Sequence, residues 1–225
     1  MNESLLNRMR QSIIDGMPET AGNLARQALA LGLDPLDLIN TGYVAGLTYV
    51  GEKYGCGEVF LPDLMMAAEA MKSALTVLEP ELRQRGAQRA VLGRVVLGTA
   101  RGDIHDIGKN LVATVLAAGG FQVFDLGTNV TPEQFVAKSL EVEADVVGVS
   151  ALLTTTMLGQ KAIIEEFDRR ALRPKVKVIV GGAAVSRKWA AEICADGYAP
   201  SCMDALALVK RLLGKAEAAL KTEKP

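Results

Sequence analysis

The segment TARGDIHDIGKN, residues 99–110, holds the only histidine of the chain, His105. Aspartates stand on both sides of it, Asp103 and Asp106, and glycines bracket the group at Gly102 and Gly108. A carboxylate hydrogen-bonded to one imidazole nitrogen fixes the tautomer and leaves a lone pair on the other, as in a metal-ligating histidine. If the segment is extended, Asp103 and His105 point to the same side. One histidine cannot build a protein-only centre, since zinc takes three or four protein ligands. The cysteines do not supply them: Cys56, Cys194 and Cys202 lie far apart with no C-x-x-C pair. A metal enclosed in its own macrocycle needs only an axial ligand from the protein. The residue types therefore ask for a metallo-macrocycle. Asp106 could join that site or cap the helix that follows.

Two further stretches carry matching content. Ser150-Ala151-Leu152 is followed by the hydroxyl run Thr154-Thr155-Thr156, and Gly181-Gly182 closes the apolar run KVKVIVGG. Paired glycines admit a large group to the backbone, and the hydroxyls of Ser150 and Thr154 can donate to and accept from a polar appendage.

From about residue 89 the chain alternates apolar, β-branched runs with amphipathic ones, which predicts a parallel sheet covered by helices on both faces. The runs AVLGRVVLGT, FQVFDLG, DVVGVSALL, KVKVIVGG and GYAP supply five strands, each followed by a helix. Five βα units fit a flavodoxin-like (Rossmann-like) doubly wound fold of strand order 2-1-3-4-5. Strands 1, 3 and 4 are then neighbours. The loops carrying His105, Ser150 and Gly181 meet beyond their carboxyl ends, where such sheets bind ligands.

Residues 1–88 have helical grammar. Asp34-Pro35 supplies an N-cap and a first-turn proline, and Leu64, Ala68, Met71, Leu75 and Leu78 recur at helical spacing. Helices are expected near 3–15, 19–31, 35–54 and 62–79, packed as a four-helix bundle with Met65, Met66 and Met71 in its core. The charged segment 79–89 reads as a linker, and residues 216–225 as a flexible tail. The expected division is a helical domain over 1–88 and an α/β domain over 89–215.

Composition excludes several functions. Net charge is −1, and residues 1–88 carry seven basic against eleven acidic residues, so no basic face is available for nucleic acid. No apolar run is long enough to span a bilayer, and the N-terminus is too polar for a signal peptide. The three scattered cysteines suit a reducing, cytoplasmic setting.

The order D-x-H-x-x-G (Asp103 to Gly108), S-x-L (Ser150 to Leu152) and Gly181-Gly182, with gaps of 41 and 28 residues between them, resembles the cobalamin-binding signature. It is similar to the B12-binding module of methionine synthase and, more closely, to the stand-alone corrinoid proteins of methyltransferase systems. The likeness extends to GEKYGCGEVFLPDLMMAAEAMKSAL in the helical half. It implies a cobalamin cofactor bound base-off/His-on, with His105 as the cobalt ligand. Asp103 and Thr156 would form a relay behind it, with threonine where methionine synthase has serine. Gly102, Ile104, Asp106, Gly108 and Leu152 would contact the cofactor, and Ser150, Thr154, Gly181 and Gly182 would line its nucleotide-tail pocket. The helical half would be a cap, with Tyr54 and Leu61 over the methyl group; these two could equally be bundle core.

The implied function is a methyl carrier with no turnover of its own. It would serve a substrate-specific methyltransferase, a second methyltransferase with a tetrahydrofolate or thiol acceptor, and a reductive activase. The alternatives are a cobalamin-dependent sensor, which would need a DNA-binding domain that residues 1–88 do not supply, and the B12-binding subunit of a mutase. A phosphate-accepting receiver domain would need an acidic cluster that the strand ends lack.

Overall fold

Helices and strands alternate as expected in the computed structural model, which describes residues 3–84 and 91–215. Contacts divide the chain into two units, Met1–Val91 with Ala118–Gly120, and Leu92–Ala117 with Phe121–Pro225. Part of the expected linker, 85–90, and the expected tail, 216–225, lie outside the described residues.

The first unit contains α1 (Glu3–Ile14), α2 (Pro18–Ala30), α3 (Pro35–Asp37), α4 (Val44–Gly55) and α5 (Leu61–Gln84). A π-helical stretch, Leu38–Tyr43, joins α3 to α4, so the expected helix over 35–54 runs on through 55. Asp34 caps it by accepting from Leu36 N at 2.7 Å and Asp37 N at 3.1 Å. Tyr43, fully buried, donates its hydroxyl to Ala21 O at 2.8 Å, which lets an aromatic with a polar end lie in the core. Gly46 permits the close approach of α1, since a Cβ there would lie 2.6 Å from Arg10 O.

Two expectations for α5 need correction. The helix does not stop at 79 but continues through Pro80 to Gln84, because Leu82 extends the buried stripe of Leu64, Ala68, Met71 and Leu78 by another turn. The expected linker therefore begins inside a helix. Met71 is core, but Met65 and Met66 are about half exposed, at 50% and 48%. Neither shares the helix face of Leu64, Ala68 and Met71.

The second unit contains β1 (Arg94–Thr99), α6 (Ile107–Ala118), β2 (Gln122–Asp125), α7 (Pro132–Glu141), β3 (Val146–Ser150), α8 (Met157–Arg169), β4 (Lys177–Gly181), α9 (Arg187–Glu192), β5 (Gly197–Tyr198) and α10 (Cys202–Leu212). The strands form one parallel sheet in the order β2-β1-β3-β4-β5. Alternation sorts their side chains onto two faces. Val96, Val147, Val149, Val178 and Val180 pack with Phe135 of α7, Ile163 and Phe167 of α8 and Ala190 of α9. Val95, Leu97, Val146 and Ile179 pack with Leu116 of α6 and Leu208 and Val209 of α10. Both faces are covered, and the central strands β1, β3 and β4 are apolar along most of their length for that reason, while the edge strand β2 has polar, exposed ends at Gln122 and Asp125. Among the described residues no helix is long and apolar enough to cross a membrane.

Candidate functional site

The sheet ends β1 at Thr99, β3 at Ser150 and β4 at Gly181 in consecutive register, Thr99 beside Ser150 and Ser150 beside Gly181. The loops that leave these three positions are therefore neighbours. Ala100 N donates to Ser150 O at 2.9 Å and Ala151 N to Gly181 O at 3.1 Å, which extends the pairing past the strand ends.

Asp103 lies at the centre of the first loop, fully buried. Its Oδ1 accepts from His105 N at 3.0 Å and contacts His105 Nδ1 at 2.7 Å. Its Oδ2 accepts from Leu152 N at 2.7 Å and from Thr156 Oγ1 at 2.7 Å. Aspartate and imidazole thus meet as expected, but through an Asx turn, in which a side chain accepts from the amide two residues on, and not through strand alternation. Burial pushes the Asp103 carboxyl up. The hydrogen bonds from Thr156, from the amides of His105 and Leu152 and from the His105 ring outweigh it and hold the group well below the usual carboxylate range.

An ionised carboxylate only accepts, so Nδ1 carries a proton, and the tautomer this selects has its lone pair on Nε2. The His105 side chain is 46% exposed. The site thus offers one half-exposed imidazole, backed by a buried carboxylate with four donors. Among the described residues no group of three or more His, Cys, Asp or Glu could hold a metal ion by itself.

Exposed apolar side chains stand in the loops around His105. Ile104 and Ile107 are 75% and 69% exposed, and Leu152 and Leu153 are also exposed. Gly102 has a positive φ of 83° and gives its amide to Asn129 Oδ1 at 2.8 Å. Asp106 immediately precedes α6, and its carboxylate accepts from Asn110 Nδ2 at 3.0 Å. Gly108 is informative in another way: a Cβ there would meet nothing within 4 Å, so no packing among the described residues explains a glycine inside this helix. The space is what an external ligand would need, and the donor set fits a corrinoid.

The remaining residues divide. Ser150 and Gly181 share the sheet face that α6 and α10 cover, by alternation from Val146 and Ile179. Thr154 is exposed in the loop before α8. Gly182 answers first to packing: its φ is 123°, and a Cβ would fall 1.9 Å from Ala151 O. Tyr54, in the last turn of α4, and Leu61, the first residue of α5, belong to the helical unit and are partly buried there.

Supporting residues absent from the sequence reading include Asn129, whose amide also donates to Asp103 O at 3.0 Å. Thr99 donates its hydroxyl to His105 O at 3.0 Å. Lys109, buried at the start of α6, pairs with Asp125 at the end of β2 and donates to Asn110 Oδ1 at 2.7 Å. A lysine in the register of an amphipathic helix's apolar side was the available signal for the last of these.

The doubly wound sheet thus holds one carboxylate-backed imidazole beyond its switch point, where folds of this class bind ligands. The comparisons identify the class of protein. Residues 93–207 and residues 5–79 each match a family described as a B12 binding domain. A corrinoid protein of Desulfitobacterium hafniense is 48% identical over 94% of this chain and 99% of its own length. The trimethylamine corrinoid protein of Methanosarcina barkeri is 46% identical over 94% and 97%. Among solved structures, the methanol:cobalamin methyltransferase complex of Methanosarcina barkeri superposes with a TM-score of 0.83 at 29% identity, covering 95% of this chain and 81% of that one. The chain belongs to the B12-binding family of corrinoid proteins.

Proposed function

We propose that this protein carries a methyl group on a bound corrinoid, receiving it from a substrate-specific methyltransferase and presenting it to a second methyltransferase whose acceptor is tetrahydrofolate or a thiol. The single observation that carries the reading is the Asp103–His105–Thr156 constellation at the carboxyl ends of β1 and β3. The cobalt of the corrinoid, when bound, supplies the centre that takes up and releases the methyl group.

His105 Nε2 would hold the cobalt of the corrinoid, the cofactor then being bound base-off/His-on. Asp103 holds the ring in the tautomer with that lone pair and offsets positive charge drawn onto the imidazole. Thr156 and the Leu152 amide keep Asp103 ionised. Gly102, Ile104, Asp106, Gly108 and Leu152 border the macrocycle, and Gly108 leaves it room. Ser150, Thr154, Gly181 and Gly182 receive the nucleotide tail. Residues 1–88 act as the cap and 89–215 as the corrinoid-binding unit, with Tyr54 and Leu61 excluding water from the reactive face. A reductive activase restores the carrier after adventitious oxidation, and the system is cytoplasmic.

An N-methyl donor is the reading favoured here: among solved structures the monomethylamine corrinoid protein of Methanosarcina barkeri is 37% identical to this chain against 29% for the methanol system, and the trimethylamine and dimethylamine corrinoid proteins of Methanosarcina are 41–46% identical. The test is to incubate the purified protein with methylcobalamin, desalt, and record cobalt per chain and the visible spectrum beside His105→Ala. Near-stoichiometric cobalt with a His105-dependent spectrum is expected. A folded protein that retains no corrinoid ends the carrier reading.

A further inference from the structure

Gln160 is fully buried on α8, and its amide is bonded on three sides. Nε2 donates to Val149 O at 2.9 Å and to Gly181 O at 3.0 Å, while Oε1 accepts from Trp189 Nε1 at 3.0 Å. One side chain therefore links the last turns of β3 and β4 to α9. The position of this link matters. Ser150 opposite Gly181 is the last residue pair of the β3–β4 ladder, so Gln160 takes hold where the pairing is down to its final backbone bond. Gly181 O already accepts from Ala151 N at 3.1 Å, so satisfying that carbonyl does not require the amide. What the amide adds is a fixed spacing between the two strand ends, applied from the face where α8 packs against Val147, Val149, Val178 and Val180. Ser150 and Gly181 turn toward the opposite face. Trp189 sets which end of the amide faces the carbonyls, because an indole N–H can only donate and so holds Oε1 toward itself.

We propose that Gln160 is a positioning residue for the loops that receive the nucleotide tail of the cofactor, acting through the Val149 and Gly181 carbonyls and oriented by Trp189. This rests on the corrinoid reading above. A group that sets the width of the tail site affects corrinoids that possess a tail and leaves those without one unaffected, whereas a group that merely stabilises the unit affects both alike.

Two probes separate these cases: hydroxocobalamin, and cobinamide, which has the same cobalt corrin but lacks the nucleotide tail. Dissociation constants for both are measured by equilibrium dialysis on wild type, Gln160→Met and Trp189→Phe, with folding checked by circular dichroism. Gln160→Met is expected to weaken hydroxocobalamin binding about tenfold, the scale of one lost hydrogen-bonding function, and to change cobinamide binding by less than about twofold. Trp189→Phe shifts the ratio the same way by a smaller factor, and it decides the matter if Gln160→Met does not fold. Parallel loss for both corrinoids, or no change for either, overturns the role of Gln160. Wild type that binds both probes equally overturns the tail site, and wild type that binds neither overturns the corrinoid reading itself.

Discussion

Replacing Thr156 by valine removes one hydroxyl and keeps the shape of the side chain. In the wild type that hydroxyl donates to Asp103 Oδ2 at 2.7 Å in a buried setting, and its oxygen accepts from Leu153 N at 3.3 Å. After the change Oδ2 retains only the Leu152 amide, also at 2.7 Å. A hydrogen bond to a charged group contributes about 1.5–3 kcal/mol, and a buried acceptor left short of donors keeps its desolvation penalty. The expected loss is about 2 kcal/mol at pH 7, read as a lower urea midpoint of the corrinoid-free protein with unchanged slope. The pH dependence gives a second check. Asp103 has a folded-state pKa below its unfolded value, so its stabilisation is fully present above about pH 4 and is lost as pH falls through the folded value. Thr156→Val raises that folded value. The gap between variant and wild type should therefore be widest at neutral pH and close in acid, and Thr156→Ser should restore most of the stability. A loss under about 0.5 kcal/mol, or a gap that is flat with pH, would refute the argument that Thr156 supports the Asp103 anion.

Two glycines of the signature should respond in opposite ways. Gly108→Ala puts a methyl where nothing lies within 4 Å, so the apo protein should gain about 0.5 kcal/mol from helix propensity while corrinoid affinity drops about tenfold or more; unchanged affinity would mean that the space serves no ligand. Gly182→Ala drives a Cβ into Ala151 O at a φ of 123°, and thermal melts should show a loss above about 3 kcal/mol before any cofactor is added. Among the cysteines, burial pushes the Cys202 thiol up to about 11, while Cys56 and Cys194 are exposed. Roughly a thousandth of Cys202 is thiolate at pH 8. Iodoacetamide should accordingly add two labels to the native protein and a third only after denaturation, counted by mass spectrometry.

Much of this protein is written locally. The central strands show as valine- and isoleucine-rich runs because both sheet faces are covered, and helices show through spacings of three and four residues; both are properties of near neighbours. The order of the three motifs already set their loops side by side, since a parallel sheet of order 2-1-3-4-5 brings them together. The exposed Met65 and Met66 and the extra turn of α5 through Pro80 were not legible, because periodicity does not say how wide the buried stripe is or where packing outweighs a helix breaker.

The sequence by itself determined which side chains are available for chemistry: one imidazole, the carboxylate two residues before it, and hydroxyls and glycines at set intervals. Tertiary structure alone decided how they are held. Thr156 reaches Asp103 across 53 residues, Asn129 supports Gly102 across 27, and Gln160 joins Gly181 to Trp189 from a third element. The physical reason is that a hydrogen bond between distant residues depends on where the sheet places two backbones to within a few tenths of an ångström. That placement comes from packing summed over the whole unit, and no short stretch of sequence contains it.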